Sequence, residues 1–284
     1  MTKIKIYNHN IRWSSSKRQQ LQIAAKIQQL QPDIVCLQEV ALEKQAKLFQ
    51  IEGYSMYYHT IEKPKMVLLT SLIKPLFNLY KKYENRSLYN PAKVQKSNLS
   101  QRIKTLAKKL GQKPVKTEKN GKFLKGYLLV LIRDKPKKVI YKAYQEQGNI
   151  FGNMAERVAG KGYIKVSFGK FTIFNTHLLS SHKKKKIELN KNNENQLTEL
   201  LSATDGQNKN ILIGDFNFGP NSKKYSLVAD WNDLTRELPV TEYFWKTRLD
   251  YILTNFDPIY SSTNIVQYEN EPSDHYGIWC ELEF

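Results

Sequence analysis

The chain has 284 residues, 40% of them hydrophobic and 25% charged, a globular balance that can bury a sizeable core without covalent staples. Lys and Arg number 45 against 26 Asp and Glu, a formal net charge of +19. That excess points to a polyanionic partner or to a lysine-rich composition, and the two lone cysteines, Cys36 and Cys280, exclude a disulfide framework or a zinc signature.

Residues 3–11 read as a first strand, with Ile4 and Ile6 on one face. The start, Met1-Thr2-Lys3-Ile4, enters this pattern without the apolar region of a signal peptide. No apolar stretch approaches the ~20 residues of a membrane span, so a cytoplasmic protein is expected. Ser14 to Ser16 offer caps for a helix running to about Leu30, with Ile23, Ile27 and Leu30 on one stripe. Pro32-Asp33 ends it. The run DIVCL (33–37) predicts a buried strand that delivers Gln38-Glu39 at its end.

Residues 62–126 differ in character. Leu69, Leu72, Ile73, Leu76, Leu79 and Tyr80 follow helical spacing with Pro75 as a kink, and Leu99, Ile103, Leu106 and Leu110 form a second stripe. This segment reads as a basic, partly helical insertion within a single domain spanning 1–284. Beyond it the pattern turns to strands. YLLVLIR (127–133) is a buried run, and IKVSF and FTIFNTH flank Gly169-Lys170, which suits a type II′ hairpin. Residues 187–201 are helical in pattern. NILIGDFN (210–217) and LDYIL (249–253) are buried strands. The closing YGIWCELEF alternates strictly, with Ile278, Cys280, Leu282 and Phe284 on one face.

Polar residues recur at the strand ends: Asn10, Glu39, His177, Asp215, Asn217, Asp250, Asp274 and His275. Singly, each suits a turn, an Asx motif or a solvated strand end. Together they suit phosphodiester hydrolysis, which needs a hard cation, a positioned water and donors for developing charge. Glu39 and Asp274 fit as ligands of Mg²⁺ or Mn²⁺, with Asn10 as a carbonyl donor or as a group that orients the ligands from behind. Asp215 fits as the group that orients or deprotonates water, and Asn217 as a phosphate donor. His275 oriented by Asp250 would be a histidine–carboxylate pair, and His177 a second donor.

Six strings then carry a family resemblance: NHNI (8–11), DIVCLQEV (33–40), NTHL (175–178), GDFN (214–217), RLDYIL (248–253) and SDHYGI (273–278). In this order they resemble the endonuclease/exonuclease/phosphatase superfamily, which includes pancreatic-type deoxyribonucleases, neutral sphingomyelinases and poly(A) deadenylases. The resemblance implies a four-layer α/β sandwich, two mainly antiparallel sheets packed face to face with helices outside. It also implies metal dependence and the residue roles above, with His177 matching a transition-state donor. The chain departs from the family at 62–126. A second buttressing acid has only Glu62 and Glu84 as candidates.

The expected reaction is nuclease-like hydrolysis of a nucleic-acid phosphodiester. A sphingomyelinase-like action at an anionic membrane surface is the alternative, and a non-catalytic binding protein on the same fold ranks third. Lys183, Lys184 and Lys185, which follow the His177 strand, are candidates for substrate binding. Trp13 and Trp245 lie near the motifs, where a base could stack. No protein partner is expected.

Overall fold

The computed structural model describes residues 1–40, 43–61, 126–146, 160–180, 187–244 and 246–284. Strand β1 (Lys3–Asn10) alternates as its side chains require: Ile4 and Ile6 enter the central core, and Tyr7 faces the other way. Helix α1 (Lys17–Leu30) opens on a capping box. Gln19 N–H donates to Ser16 Oγ, and Ser16 N–H donates to Gln19 Oε1, which satisfies amides that no preceding turn can reach. Gln31, at φ 51°, ends the helix by donating its N–H to the Ile27 carbonyl.

The chain continues through β2 (Ile34–Gln38), a short helix α2 (Glu43–Ala46), β3 (Ser55–Ile61) and β4 (Gly126–Ile132). Strands β5 (Lys138–Ala143), β6 (Gly162–Ser167) and β7 (Phe171–His177) precede helix α3 (Ile187–Ser202). Strands β8 (Lys209–Asp215), β9 (Asn232–Asp233), β10 (Asp250–Thr254), β11 (Tyr260–Val266) and β12 (Gly277–Glu283) complete the described elements. They form two six-stranded sheets, ordered β11-β12-β1-β2-β4-β3 and β5-β6-β7-β8-β10-β9. Each sheet has one parallel pair at its centre, β1 with β2 and β7 with β8, and antiparallel pairs elsewhere. A parallel pair needs a crossover, and α1 and α3 fall between the paired strands in sequence.

Three apolar clusters set the layers. Ile4, Ile6, Val130 and Ile278 of the first sheet meet Ile173, Ile211, Ile213 and Ile252 of the second. The other face of the first sheet packs Val35, Leu37 and Leu131 with Ile23, Ala24 and Ile27 of α1. The other face of the second packs Phe174, Leu212 and Tyr251 with Leu197 and Leu200 of α3. The order is therefore helix, sheet, sheet, helix. Each aliphatic side chain taken fully from water contributes ~1.5–3 kcal/mol. Cys36 and Cys280 are free thiols buried in the central core as small hydrophobes.

Two glycines are dictated by geometry. Gly169 has φ 91° in the two-residue turn between β6 and β7, the positive φ that such hairpins demand. Gly214 has φ 142°, and a Cβ there would lie 2.0 Å from the Thr176 carbonyl oxygen of β7. This close approach comes one residue before Asp215, in a register that sets His177 beside Asp215.

The strands missing from the sequence reading are β3, β5, β9 and β11, which are the four sheet edges. The helical stripes at 69–80 and 99–110 lie outside the described residues. Among the described residues, no helix is long and apolar enough to cross a membrane.

Candidate active site

The two central parallel pairs point their C-terminal ends the same way within each sheet, and the antiparallel neighbours β10 and β12 begin there. Topology thus gathers Asn10, Glu39 and His275 at one end of the first sheet and His177, Asp215 and Asp250 at one end of the second, and the hydrogen bond from Asn10 to Asp215 brings the two ends together. A buried polar bridge forms the floor. Gln38 Nε2 donates to Asn8 Oδ1 at 2.9 Å and to Asn175 Oδ1 at 2.8 Å, so the first sheet is tied to the second. Asn175 Nδ2 in turn donates to the carbonyls of Leu37 and Leu129.

Asp215 is the hub, with 1% of its surface exposed. Its Oδ2 accepts from Asn10 Nδ2 at 2.9 Å and its Oδ1 from the Asn217 amide at 2.9 Å. The same Oδ2 lies 3.4 Å from His177 Nε2 and 3.9 Å from His275 Nε2. Asn217 Nδ2 donates to the Leu178 carbonyl. His275 Nδ1 donates to Asp250 Oδ2 at 2.8 Å. The start of β10 is fixed by Thr241 Oγ1, which accepts from the amides of Leu249 and Asp250. The neighbouring residues of that loop pair with the His275 segment: Tyr243 N–H donates to the Asp274 carbonyl, and Tyr276 N–H to the Thr241 carbonyl.

Glu39 accepts from the Trp13 amide through Oε2, while Oε1 lies 3.8 Å from His177 Nε2. Asp274 stands farther out, its Oδ2 3.5 Å from Arg12 Nε. Arg12, Glu39 and Asn217 all take a positive φ, at 57°, 60° and 56°. Left-handed backbone at a non-glycine residue costs of order 1–3 kcal/mol and concentrates at functional sites.

The electrostatics separate the titrating groups. Burial pushes the Asp215 carboxyl up to about 7; Asp250 adds to the rise, and His275, Lys161 and the Asn10 hydrogen bond oppose it. His275 is held well above the usual imidazole range: burial alone would lower it, but Asp250, Asp215 and Asp274 outweigh that cost. His177 falls well below its usual range through burial, then through Lys161 and His275. The two histidines are therefore driven in opposite directions, His275 toward the cation and His177 toward the neutral ring.

Lys161 was missed at the sequence level. Its Nζ lies 2.6 Å from His177 Nε2 and the residue is buried. The Gly169-Lys170 turn could have found it, because the hairpin register pairs Gly162 with His177 and puts residue 161 beside that histidine. Arg12 and the Gln38–Asn175 bridge were also missed; Gln38 was placed at the end of its strand, but its partner on the other sheet has no signal in the sequence. Lys183, Lys184, Lys185, Trp245, Glu62 and Glu84 lie outside the described residues.

Among the described residues, one group of three side chains brings ligand atoms within 4.8 Å of one another: Asp215, Asp250 and His275. Its imidazole Nδ1 is engaged with Asp250. Asn10, Glu39 and Asp274 come from three separate motifs and offer the oxygen atoms a hard cation prefers; Asn10 Oδ1 accepts from the Arg12 amide at 3.0 Å.

The family model described as endonuclease/exonuclease/phosphatase matches residues 8–275. The chain belongs to this family. Its members are hydrolases of phosphodiesters or phosphate esters. No curated protein matches the sequence. Similar solved structures include the endonuclease/exonuclease/phosphatase protein of Beutenbergia cavernae DSM 12333, with TM-score 0.64, 16% identity, and coverage of 100% of this chain and 72% of that one. The human Nocturnin catalytic domain with bound sulfate has TM-score 0.61, 18% identity, and coverage of 99% and 93%. The D. rerio TDP2 complexed with single strand DNA product has TM-score 0.59, 12% identity, and coverage of 100% of both chains. At these identities the family's fold is what is shared, and the two packed sheets seen here are that fold.

Proposed function

We propose that the protein is a divalent-metal-dependent, nuclease-like phosphodiesterase. The observation that carries this reading is the convergence on Asp215 of two histidines, His275 held by Asp250 and His177 set beside the Lys161 ammonium. A phosphodiester passing to a phosphorane gains negative charge, and donors fixed beforehand stabilise it most.

Asp215 accepts a proton from the attacking water. Its partners Asn10 and Asn217 fix both carboxylate oxygens, so the water meets a defined lone pair. His275 holds a proton at Nε2 and presents it on the phosphate side, while Asp250 keeps the ring oriented. Lys161 places a second positive charge beside His177. The donor set fits a hard cation: Glu39 has one oxygen held by the Trp13 amide and the other turned inward, and Asp250 Oδ1 is buried without a hydrogen-bond partner. Glu39, Asn10 and Asp274 would hold Mg²⁺ or Mn²⁺, which when bound polarises the phosphoryl oxygen.

Three features support nucleic acid as the substrate. The net charge is +19, which favours a polyanion. Tyr243 and Phe244 are 57% and 53% exposed on the loop that pairs with the Asp274–His275 segment, where unstacked bases could lie on their rings. The TDP2 relative was solved with a single strand DNA product. The test is a panel assay with Mg²⁺: duplex DNA, abasic DNA, single-stranded DNA and RNA, sphingomyelin vesicles and inositol phosphates. Metal-dependent cleavage of a nucleic acid that EDTA abolishes is the expected result. Turnover of sphingomyelin alone, or activity that resists EDTA, would overturn it.

A further inference from the structure

His9 sits between two site residues of the first strand, yet the chemistry above does not use it. It is wholly buried on the face of β1 that carries Tyr7, away from Asn8 and Asn10. Its Nε2 lies 2.9 Å from the His275 main-chain oxygen, its Nδ1 2.7 Å from the Tyr7 hydroxyl, and that hydroxyl 2.6 Å from the hydroxyl of Tyr268. A carbonyl only accepts, so Nε2 carries the proton and Nδ1 is the acceptor. Tyr7 therefore donates to His9 and accepts from Tyr268, which leaves one direction for the whole chain of bonds.

Both ends of that chain lie on the segment 268–275, which carries Ser273, Asp274 and His275. Ser273 Oγ adds a third tie by donating to the Asn10 carbonyl at 2.7 Å. Gly277 makes room for the arrangement, since a Cβ there would lie 2.9 Å from the Tyr7 hydroxyl oxygen. We propose that Tyr7 and His9 are positioning residues: they fix the main chain of the 268–275 loop so that the His275 ring meets Asp250. Wholly buried, the His9 ring stays in the neutral form that the chain of bonds requires. The catalytic side of this claim rests on the phosphodiesterase reading; the conformational side does not.

The experiment pairs His9→Phe, which keeps a ring and loses both hydrogen bonds, with His9→Gln, whose amide can donate to the carbonyl and accept from Tyr7. Steady-state kinetics on a single-stranded oligonucleotide with Mg²⁺ should show kcat lowered ~10–100-fold in His9→Phe with KM nearly unchanged. His9→Gln should recover most of the loss. Proton NMR of the full chain reads the same effect without turnover: the His275 Nδ1 proton bound to Asp250 should give a downfield resonance in the wild type and in His9→Gln, absent or shifted in His9→Phe. An unchanged resonance and kcat in His9→Phe overturn the proposal, as does a wild type that lacks the resonance. Should His9→Phe fail to fold, Tyr7→Phe decides by the same two readouts, with a smaller loss expected. A wild type that cleaves no phosphodiester removes the functional reading alone, and the resonance still tests the clamp.

Discussion

Lys161 Nζ lies 2.6 Å from Nε2 of His177, and both residues are buried. An ammonium this close favours the neutral imidazole and sets its tautomer, because Nε2 must accept. Lys161→Met keeps the length of the side chain and removes the charge. The His177 pKa should then rise only partway toward its usual value, because burial is its largest depressing cause and Lys161 the second. NMR titration of the histidines checks the rise. Turnover should fall ~10–100-fold through loss of a cation beside the phosphate.

Asp215→Ala and His275→Ala should each cost at least ~10²–10³-fold in kcat/KM. Circular dichroism and the melting temperature should show that both variants still fold. Near-wild-type turnover in either would remove that residue from the reaction.

Activity should rise with pH through an acid limb governed by Asp215, whose carboxyl burial raises to about 7 in the metal-free protein. The base must be ionised, so the active fraction grows as pH passes that value. A cation bound nearby favours the carboxylate and moves the limb to lower pH. A kcat/KM profile at saturating and limiting Mg²⁺ should therefore show two different acid limbs.

Stability should fall in acid, in part through His9. Its folded pKa of about 3 is below the ordinary 6.5, so the unfolded chain binds more protons between the two values. The contribution of His9 is complete above pH 6.5 and is lost as pH falls toward 3, at up to ~1.4 kcal/mol per pH unit. Asp215, shifted upward, opposes this between 3.8 and about 7. Denaturant melts of wild type and His9→Gln between pH 4 and 8 should differ in slope by about one proton below pH 6.

The central strands were legible because both faces of each are covered. VCL in β2 and ILI in β8 are continuous apolar runs, and the turn at Gly169 announced the β6–β7 hairpin. The edges were not legible. YSSTNIV in β11 is polar on its exposed side, and KVIYKA in β5 alternates too weakly to separate from a loop, so their strand character comes from the neighbour they pair with. The polar residues at strand ends could be picked out because they follow apolar runs. Lys161 was hidden among 45 basic residues, and only register distinguishes it from a solvated lysine. The split between the two histidines could not be read at all, since it depends on which carboxylates and ammonium surround each ring.

The left-handed backbone at Arg12, Glu39 and Asn217 bears on how this protein would respond to selection for heat resistance alone. Glycine accepts that conformation freely, so a library screened only for survival on heating should enrich glycine at these positions, most at Arg12 and Glu39 and least at Asn217, because asparagine tolerates the conformation best. The gain would be ~1 kcal/mol or less per position. At Glu39 it would remove a carboxylate that faces His177, and at Arg12 the partner of Asp274. The sturdiest variants from such a screen should be among the poorest catalysts.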